Sequence, residues 1–198
     1  MTVRPLGQPR KSGIIAGLLR LARGDASGIM LFGHTPRDFL ISLIPLVTLP
    51  LVVALATLAK GEVLRALADL AAAVCILLVP PVISHALAQR WNREDPWLRF
   101  AVAFNWCQFG LSVLCMALLI GLGIVFGASG STPGSDGVVA AVVVLCIAIV
   151  GYGLWLHWFV ARWGLGVSGG RAAFLVLATY FGTFATLIVR GLLLMDHG

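Results

Sequence analysis

Two side chains of opposite charge, Asp69 and Arg190, stand inside long apolar stretches of this sequence. A charge in such a stretch is costly, and it usually faces the protein interior, pairs with an opposite charge or serves a path for protons or ions. Each of the two lies about a turn and a half from one end of its stretch. We predict that they form an ion pair between two helices, with Arg65, one turn from Asp69, as the competing partner.

A second set of polar residues lies near the opposite ends of the apolar stretches. This candidate polar layer consists of His85, Asn105, Gln108, His157 and Tyr180. The functional interpretation is a shallow ligand or proton site. The structural interpretation is a set of hydrogen bonds between helices, worth on average about 0.6 kcal/mol each. Neither histidine has an acidic partner in its own stretch, which favours the structural interpretation.

Adjacent prolines precede one of these histidines in the segment CILLVPPVISHALAQRW, residues 75–91. Proline has no backbone N–H, and its ring disfavours helical geometry in the residue before it. We predict that Pro80 and Pro81 kink the helix and free the carbonyls of Ile76 and Leu77. Carbonyls freed in a membrane need another hydrogen-bond donor, which favours a small polar pocket on the next turn, faced by Ser84 and His85.

The elements that position these residues follow from composition. The chain is 60% hydrophobic and 11% charged, whereas soluble domains carry about 25% charged residues. Each of five apolar stretches has the roughly 20 residues that a helix needs to cross a bilayer. The predicted fold is all-α, a polytopic integral membrane protein with a bundle of five transmembrane helices. The predicted spans are residues 39–59, 64–88, 101–127, 138–161 and 172–195.

The segment before the first span is predicted to contain a helix that lies on the membrane surface. Residues 12–25 combine apolar side chains with cations at their edges, a pattern typical of amphipathic interfacial helices. We expect one apolar face, formed by Ile14, Ile15, Leu18, Leu19 and Leu21. The chain then divides into an N-terminal segment, 1–37, and a transmembrane domain, 38–198, with membrane lipids as partners.

The cations are distributed unevenly between the two sides of the predicted membrane domain. Of the 14 Lys and Arg residues, eleven fall in the N-terminal segment and in alternate loops, and three lie near the other ends of the spans. The positive-inside rule then predicts a cytoplasmic N-terminus and an outer C-terminus. Most of the tryptophans also map near the cytoplasmic ends. Cations spread over loops without a binding motif do not indicate nucleic-acid binding.

Motifs for catalysis or metal binding do not emerge from the residue spacing. The cysteines Cys75, Cys107, Cys115 and Cys146 all fall inside spans without a C-x-x-C pair, so we expect small core residues. The GLGVSGG segment, 164–170, fits G-x-G-x-x-G but lies between two spans, where no βαβ unit fits. We therefore expect no enzyme activity, no metal and no cofactor.

The segment YGLWLHWFVARWGLGVSGGRAAFLVLATYF, 152–181, combines an aromatic fourth span, a short Gly/Ser turn and an Arg-Ala opening of the fifth. With the five-span plan, it resembles the Yip (Ypt-interacting protein) family of membrane domains. The resemblance implies a membrane organiser or adaptor without catalytic residues. The Asp-Leu-Tyr-Gly-Pro segment of eukaryotic members is absent, so a small-GTPase partner is not implied. The predominance of Arg over Lys is typical of GC-rich bacteria, and predicts the bacterial inner membrane.

Two functions remain open from the sequence. The first is a non-enzymatic inner-membrane adaptor that binds other membrane proteins, lipids or a second copy of itself. The alternative is a small-molecule or ion transporter or channel subunit that uses the intramembrane polar residues. Gly123 and Gly127 form a G-x-x-x-G, which fits either a homo-oligomer contact or packing within the bundle.

Overall fold

The structure, a computed structural model, describes residues 11–128 and 136–195. Five of its helices are long and apolar enough to cross a membrane, which confirms the predicted fold class. The first ten residues of the predicted N-terminal segment and the last three of the transmembrane domain lie outside the described residues. The helices are α1 (Lys11–Ala22), a 3₁₀ helix (Ala26–Leu31), α2 (Pro36–Ala59), α3 (Val63–Arg90), α4 (Trp97–Ala128), α5 (Asp136–Gly164) and α6 (Gly169–Met195).

The first spanning helix starts three residues earlier than predicted because its N-terminus is capped. The Thr35 hydroxyl accepts a hydrogen bond from the Asp38 amide, and the Asp38 carboxylate accepts one from the Thr35 amide, each at 3.2 Å. Pro36 occupies the first turn, where a missing N–H costs nothing. This reciprocal arrangement satisfies helix N–H groups that would otherwise lack partners.

The spanning helices form an up-and-down bundle. Helix α3 packs on α2 and most extensively on α6, while α4 packs on α5 and α2. The α3–α6 contact is close, since a Cβ at Gly182 would lie 2.8 Å from Val79 Cγ1. Helix α3 continues through Pro80 and Pro81.

Burial is concentrated at one end of this bundle. There the end of α3, the start of α4, the end of α5 and the start of α6 meet α1 and the 3₁₀ helix, and we call this the packed end. Its fully buried side chains include Leu21, Phe100, Val160, Leu165 and Leu175. The opposite end, which we call the far end, differs sharply. Within the described chain, no residue of 108–127 or 136–152 is buried.

Helix α1 lies across the α4–α5 pair, and we call it the strap. Leu18 lies over α4, since a Cβ at Gly110 would be 3.8 Å from Leu18 Cδ2. The Tyr152 hydroxyl of α5 donates to the Ala22 carbonyl at 2.9 Å. Among the described elements, α1 packs only on the 3₁₀ helix, α4 and α5.

The expectation of a single apolar face on α1 is wrong. Leu21 is fully buried, and Ile14 and Leu18 pack on the same core. Ile15 and Leu19, by contrast, are 62% and 51% exposed. One apolar side of the helix therefore faces the bundle and another faces outward, because the apolar residues extend further round the helix than one face needs.

Candidate functional site

The two intramembrane charges meet at the far end, between α3 and α6. Arg190 Nε donates to Asp69 Oδ1 at 2.7 Å, and Nη2 contacts the same oxygen. The arginine side chain is 34% exposed and the aspartate 16%. The competing partner, Arg65, instead pairs with Glu62 at 3.1 Å. The close packing of the two helices brings the charges together, and each neutralises the other where solvation is poor.

His157 and Tyr180 of the predicted polar layer meet between α5 and α6. The Tyr180 hydroxyl lies 2.9 Å from His157 Nδ1, and which group donates depends on the tautomer. The imidazole is buried and lies against the Phe104 ring, with centroids 4.3 Å apart. Its second nitrogen, Nε2, is buried without a hydrogen-bond partner. Tyr180 is exposed on the other side, so the pair links a buried titratable ring to the bundle surface.

Asn105 belongs to a different contact, between α4 and α2. Its side-chain amide donates to the Ser42 hydroxyl at 2.9 Å. That hydroxyl in turn donates to the Phe39 carbonyl at 2.7 Å. Both side chains are buried, so each is positioned by the other and by the backbone of α2.

His85 lies beside a third contact, between α3 and α4. Trp97 Nε1 donates to the Ser84 hydroxyl at 3.1 Å, and that hydroxyl donates to the Pro81 carbonyl at 3.2 Å. His85 meets the Trp97 ring edge-on, with centroids 4.6 Å apart. The polar atoms next to the proline pair are thus bonded to one another.

The structure distributes the predicted polar layer over separate helix pairs. His157 and Tyr180 are in contact, whereas Asn105 and His85 each have partners on other helices. Gln108 is half-buried, and its backbone carbonyl accepts from Ser112. Sequence analysis missed the partners Ser42 and Trp97. The signal for Ser42 was present, since a lone hydroxyl in an apolar stretch commonly bonds across or within helices.

A crevice lies between these contacts at the packed end. Its lining includes the side chains of Pro81, Ser84, Phe104, Asn105 and Thr179, and they leave no room for a water molecule. A ligand or proton path through this crevice would require the helices to move apart. In this arrangement the polar groups act as contacts between helices.

A larger groove opens at the far end, between α4 and α5. It encloses about 740 Å³. Small side chains on both helices leave the space open, and no charged side chain lines it. The lining consists of Ala117, Leu118, Gly121, Leu122, Val125, Ala140, Ala141, Val144, Leu145 and Ala148.

The glycines of the G-x-x-x-G motif do not line this groove and are free of neighbours in the bundle. A Cβ at Gly123 or Gly127 would meet no described atom within 4 Å. The motif therefore does not serve packing among the described helices.

The cysteines differ in their surroundings. Cys107 is buried at the packed end, but Cys75 and Cys146 are exposed on the outside of their helices. The prediction of core positions is therefore wrong for these two. Helices that are apolar all round do not show from sequence which side faces the bundle. Among the described residues, no group of three or more His, Cys, Asp and Glu side chains could hold a metal ion.

Aromatic rings and cations lie together at the packed end. The Arg162 guanidinium lies 5.3 Å from the Trp158 ring centroid and 5.5 Å from that of Trp163. Arg171 lies 5.7 Å from the Trp91 centroid. In each contact the negative face of the ring attracts the cation, and the guanidinium stays at the end of the helix where it is solvated.

Comparison with protein-family models, with curated protein sequences and with solved structures gives no match. The chain is an integral membrane protein by its five long apolar helices. The resemblance to the Yip family stays a prediction.

Proposed function

We propose that this protein is a non-enzymatic membrane organiser or adaptor, similar to Yip-family proteins, which binds other membrane proteins or lipids. We place it in a bacterial inner membrane with its N-terminus in the cytoplasm. The observation that carries the proposal is how its intramembrane polar groups are used. Asp69, Asn105 and Tyr180 each bond to a neighbouring helix, and the crevice between the helices of the packed end has no room for a water molecule.

The apolar surface of the far end also supports the adaptor proposal. Its α4 and α5 segments expose apolar surface along their whole described length and enclose an open groove. Transmembrane helices associate mainly through close packing of small residues, because lipid supplies no hydrophobic driving force. Gly121, Ala141 and Ala148 offer such a surface in the groove.

The orientation rests on the cations of the packed end. Arg90, Arg93, Arg99, Arg162 and Arg171 lie at helix ends or loops there. Lysine and arginine accumulate on the cytoplasmic side of membrane proteins. The packed end then faces the cytoplasm, and the far end faces the periplasm.

A transporter or channel subunit is the second candidate, and the His157–Tyr180 pair favours it. The imidazole has one nitrogen without a partner, and Tyr180 connects it to the surface. Such a group can accept a proton or a ligand if the helices separate. Replacing His157 by Gln and Tyr180 by Phe would abolish transport if this candidate is correct.

Native mass spectrometry of the protein gently extracted from its own membrane tests the first candidate. The expected result is a protein or lipid bound in fixed stoichiometry. Gly121→Leu fills the α4–α5 groove and should remove that partner. Gly191→Leu is the matched control, since neither glycine has a neighbour within 4 Å of an added Cβ.

The adaptor proposal would be contradicted if the protein carried no stoichiometric partner and instead bound an ion or small molecule that is lost in the His157→Gln variant. The transporter candidate would then replace it.

A further inference from the structure

The strap helix α1 lies at one height along the α4–α5 pair. It meets α4 at Gly110 and α5 at Tyr152. Those positions are level, because Leu111 packs on Gly153, where an added Cβ would be 3.4 Å from Leu111 Cδ1. Helix α1 therefore runs across the bundle axis, which is the direction of the membrane plane for a bundle that spans it.

Compared with the terminal cations of the α3–α6 side, the strap lies well inside the bundle. On the α3–α6 side, the cations nearest the end are Arg90 and Arg171, and Arg171 covers the Trp91 ring there. Ser84 of α3, Phe100 of α4 and Leu175 of α6 line one crevice and are therefore about level. The strap at Gly110 lies about 15 Å above this level, and Arg90 and Arg171 lie about 9 and 6 Å below it.

The apolar stretches end at different heights at the far end as well. On the α3–α6 side they end at the Asp69–Arg190 pair. The rise from Arg90 to Asp69 is about 31 Å, close to the roughly 30 Å of a hydrocarbon core. Helix α4 stays apolar to Gly127, which lies about 42 Å above Arg99, too far for an upright helix.

The apolar length of α4 and α5 between the strap and the far end fits a bilayer. The rise from Gly110 to Gly127 is about 26 Å, and that from Tyr152 to Asp136 is about 24 Å. Both limits of the apolar belt are thus displaced toward the far end on the α4–α5 side, by about 18 to 24 Å. Two independent boundaries shift in the same direction.

The outer side of the strap has the chemistry of a membrane boundary. Ile15, Leu19 and Met30 are 62%, 51% and 68% exposed. Arg20 and Arg23 are exposed beside them. Apolar side chains that enter the acyl region, with arginines at headgroup level, are typical of helices lying in the interface of an anionic membrane.

We propose that α1 and the 3₁₀ helix bind the headgroup layer of the bilayer and hold the bundle obliquely in it. The apolar side chains of the strap enter the lipid, and Arg20 and Arg23 contact lipid phosphates. On the far side, α3 and α6 then reach beyond the hydrocarbon, whereas the α4–α5 pair ends at its boundary. The geometry holds for an adaptor and for a transporter.

Spin-label depth measurements in reconstituted vesicles of phosphatidylglycerol and phosphatidylethanolamine test this proposal. Cys75, Cys115 and Cys146 are replaced by Ala, while Cys107 is buried and stays. The first pair of labels is at Leu19→Cys on the strap and Phe181→Cys on α6. Both residues are exposed, and Phe181 is level with the strap, since the Tyr180 hydroxyl lies 3.8 Å from a Cβ at Gly153.

The expected result is a label at headgroup depth on Leu19→Cys and one on the order of 10 Å deeper on Phe181→Cys. An upright bundle would put both labels at the same depth in the hydrocarbon, and that result would overturn the proposal.

A second pair of labels tests the far end independently. Leu67→Cys on α3 and Met116→Cys on α4 lie at similar heights, each about 25 Å from the crevice that Ser84 and Phe100 line. Both residues are well exposed. We expect the Met116→Cys label in the hydrocarbon and the Leu67→Cys label outside it. Two labels outside the hydrocarbon would refute the oblique arrangement, even if the first pair differed.

Discussion

At the packed end, Phe100 is 1% exposed and lies so close to Gly164 that an added Cβ would be 3.1 Å from its ring. At the far end, Ile124 and Ile147 are about two-thirds exposed, and an added Cβ at Gly121 meets nothing within 4 Å. The packed end specifies its own structure by contacts within the chain. At the far end, apolar side chains are exposed outside the bundle.

Polar contacts follow the same division. The packed end holds Asn105–Ser42, Trp97–Ser84 and His157–Tyr180. In the part of the far end that the structure describes, Asp69–Arg190 connects different spanning helices. One end is thus a densely packed base and the other exposes its apolar side chains, and four experiments test this difference.

The largest effect on stability is expected from removing a buried ring at the packed end. Phe100→Ala should lower the free energy of unfolding by about 3 kcal/mol, because the space left by a buried ring is not refilled. Denaturant titration in detergent micelles measures this. Ile124→Ala, at a 66% exposed position of the far end, should cost less than about 0.5 kcal/mol. Equal losses would mean that the two regions do not differ in packing.

The next effect is at the far end. Asp69→Leu leaves Arg190 without its partner and should cost about 2 kcal/mol, less than at the bilayer centre because the arginine can reach toward water. The double variant Asp69→Leu, Arg190→Leu should regain most of that loss, as both charges are gone. The same titration measures both. A double variant as unstable as the single one would show that packing, not charge, matters there.

A smaller effect is expected from one polar contact at the packed end. Ser42→Ala and Asn105→Ala, combined in a double-mutant cycle, should give a coupling energy of about 0.6 kcal/mol, typical of hydrogen bonds between membrane helices. Unfolding of the four proteins in micelles provides the cycle. No measurable coupling would argue against a specific contact in the base.

The smallest effect is the contribution of Asp25, which follows α1, to the pH dependence of stability. Hydrogen bonds from the Ser27 hydroxyl and amide hold the pKa of Asp25 below its usual range. The stabilisation is therefore complete above about pH 4, the unfolded value, and is lost as the pH falls through the lower folded value. The thermal midpoint of the wild type should fall more than that of Asp25→Asn when the pH is lowered from about 6 to about 3. Parallel curves would exclude this contribution.

The spans were predictable because each is a long apolar stretch bounded by charges, loops or caps. The Asp69–Arg190 contact was a natural expectation, since two opposite charges at similar depth have few alternatives. The division of the polar layer into pairs was not predictable. Helices such as α4 are apolar all round, so the sequence does not show which side of Asn105 or Gln108 faces which neighbour.

The unequal packing of the two ends was also beyond the sequence. The far half of α4, 112–127, is as apolar as the near half, 100–111. In water an exposed apolar half would be improbable, but in lipid both exposure and burial satisfy an apolar side chain. The small residues of the far end gave a signal for contact without saying whether the contact lies inside the bundle.

The hydrogen bond from Tyr152 to Ala22 joins positions 130 residues apart. A ribosome releases the strap first and its docking site on α5 much later, after three intervening spans have entered the membrane. At a synthesis rate of about 5 to 20 residues per second, α1 waits several seconds or longer. Its outward apolar side gives it a place on the bilayer surface during that interval, so the strap is made well before the helix on which it docks and settles after it.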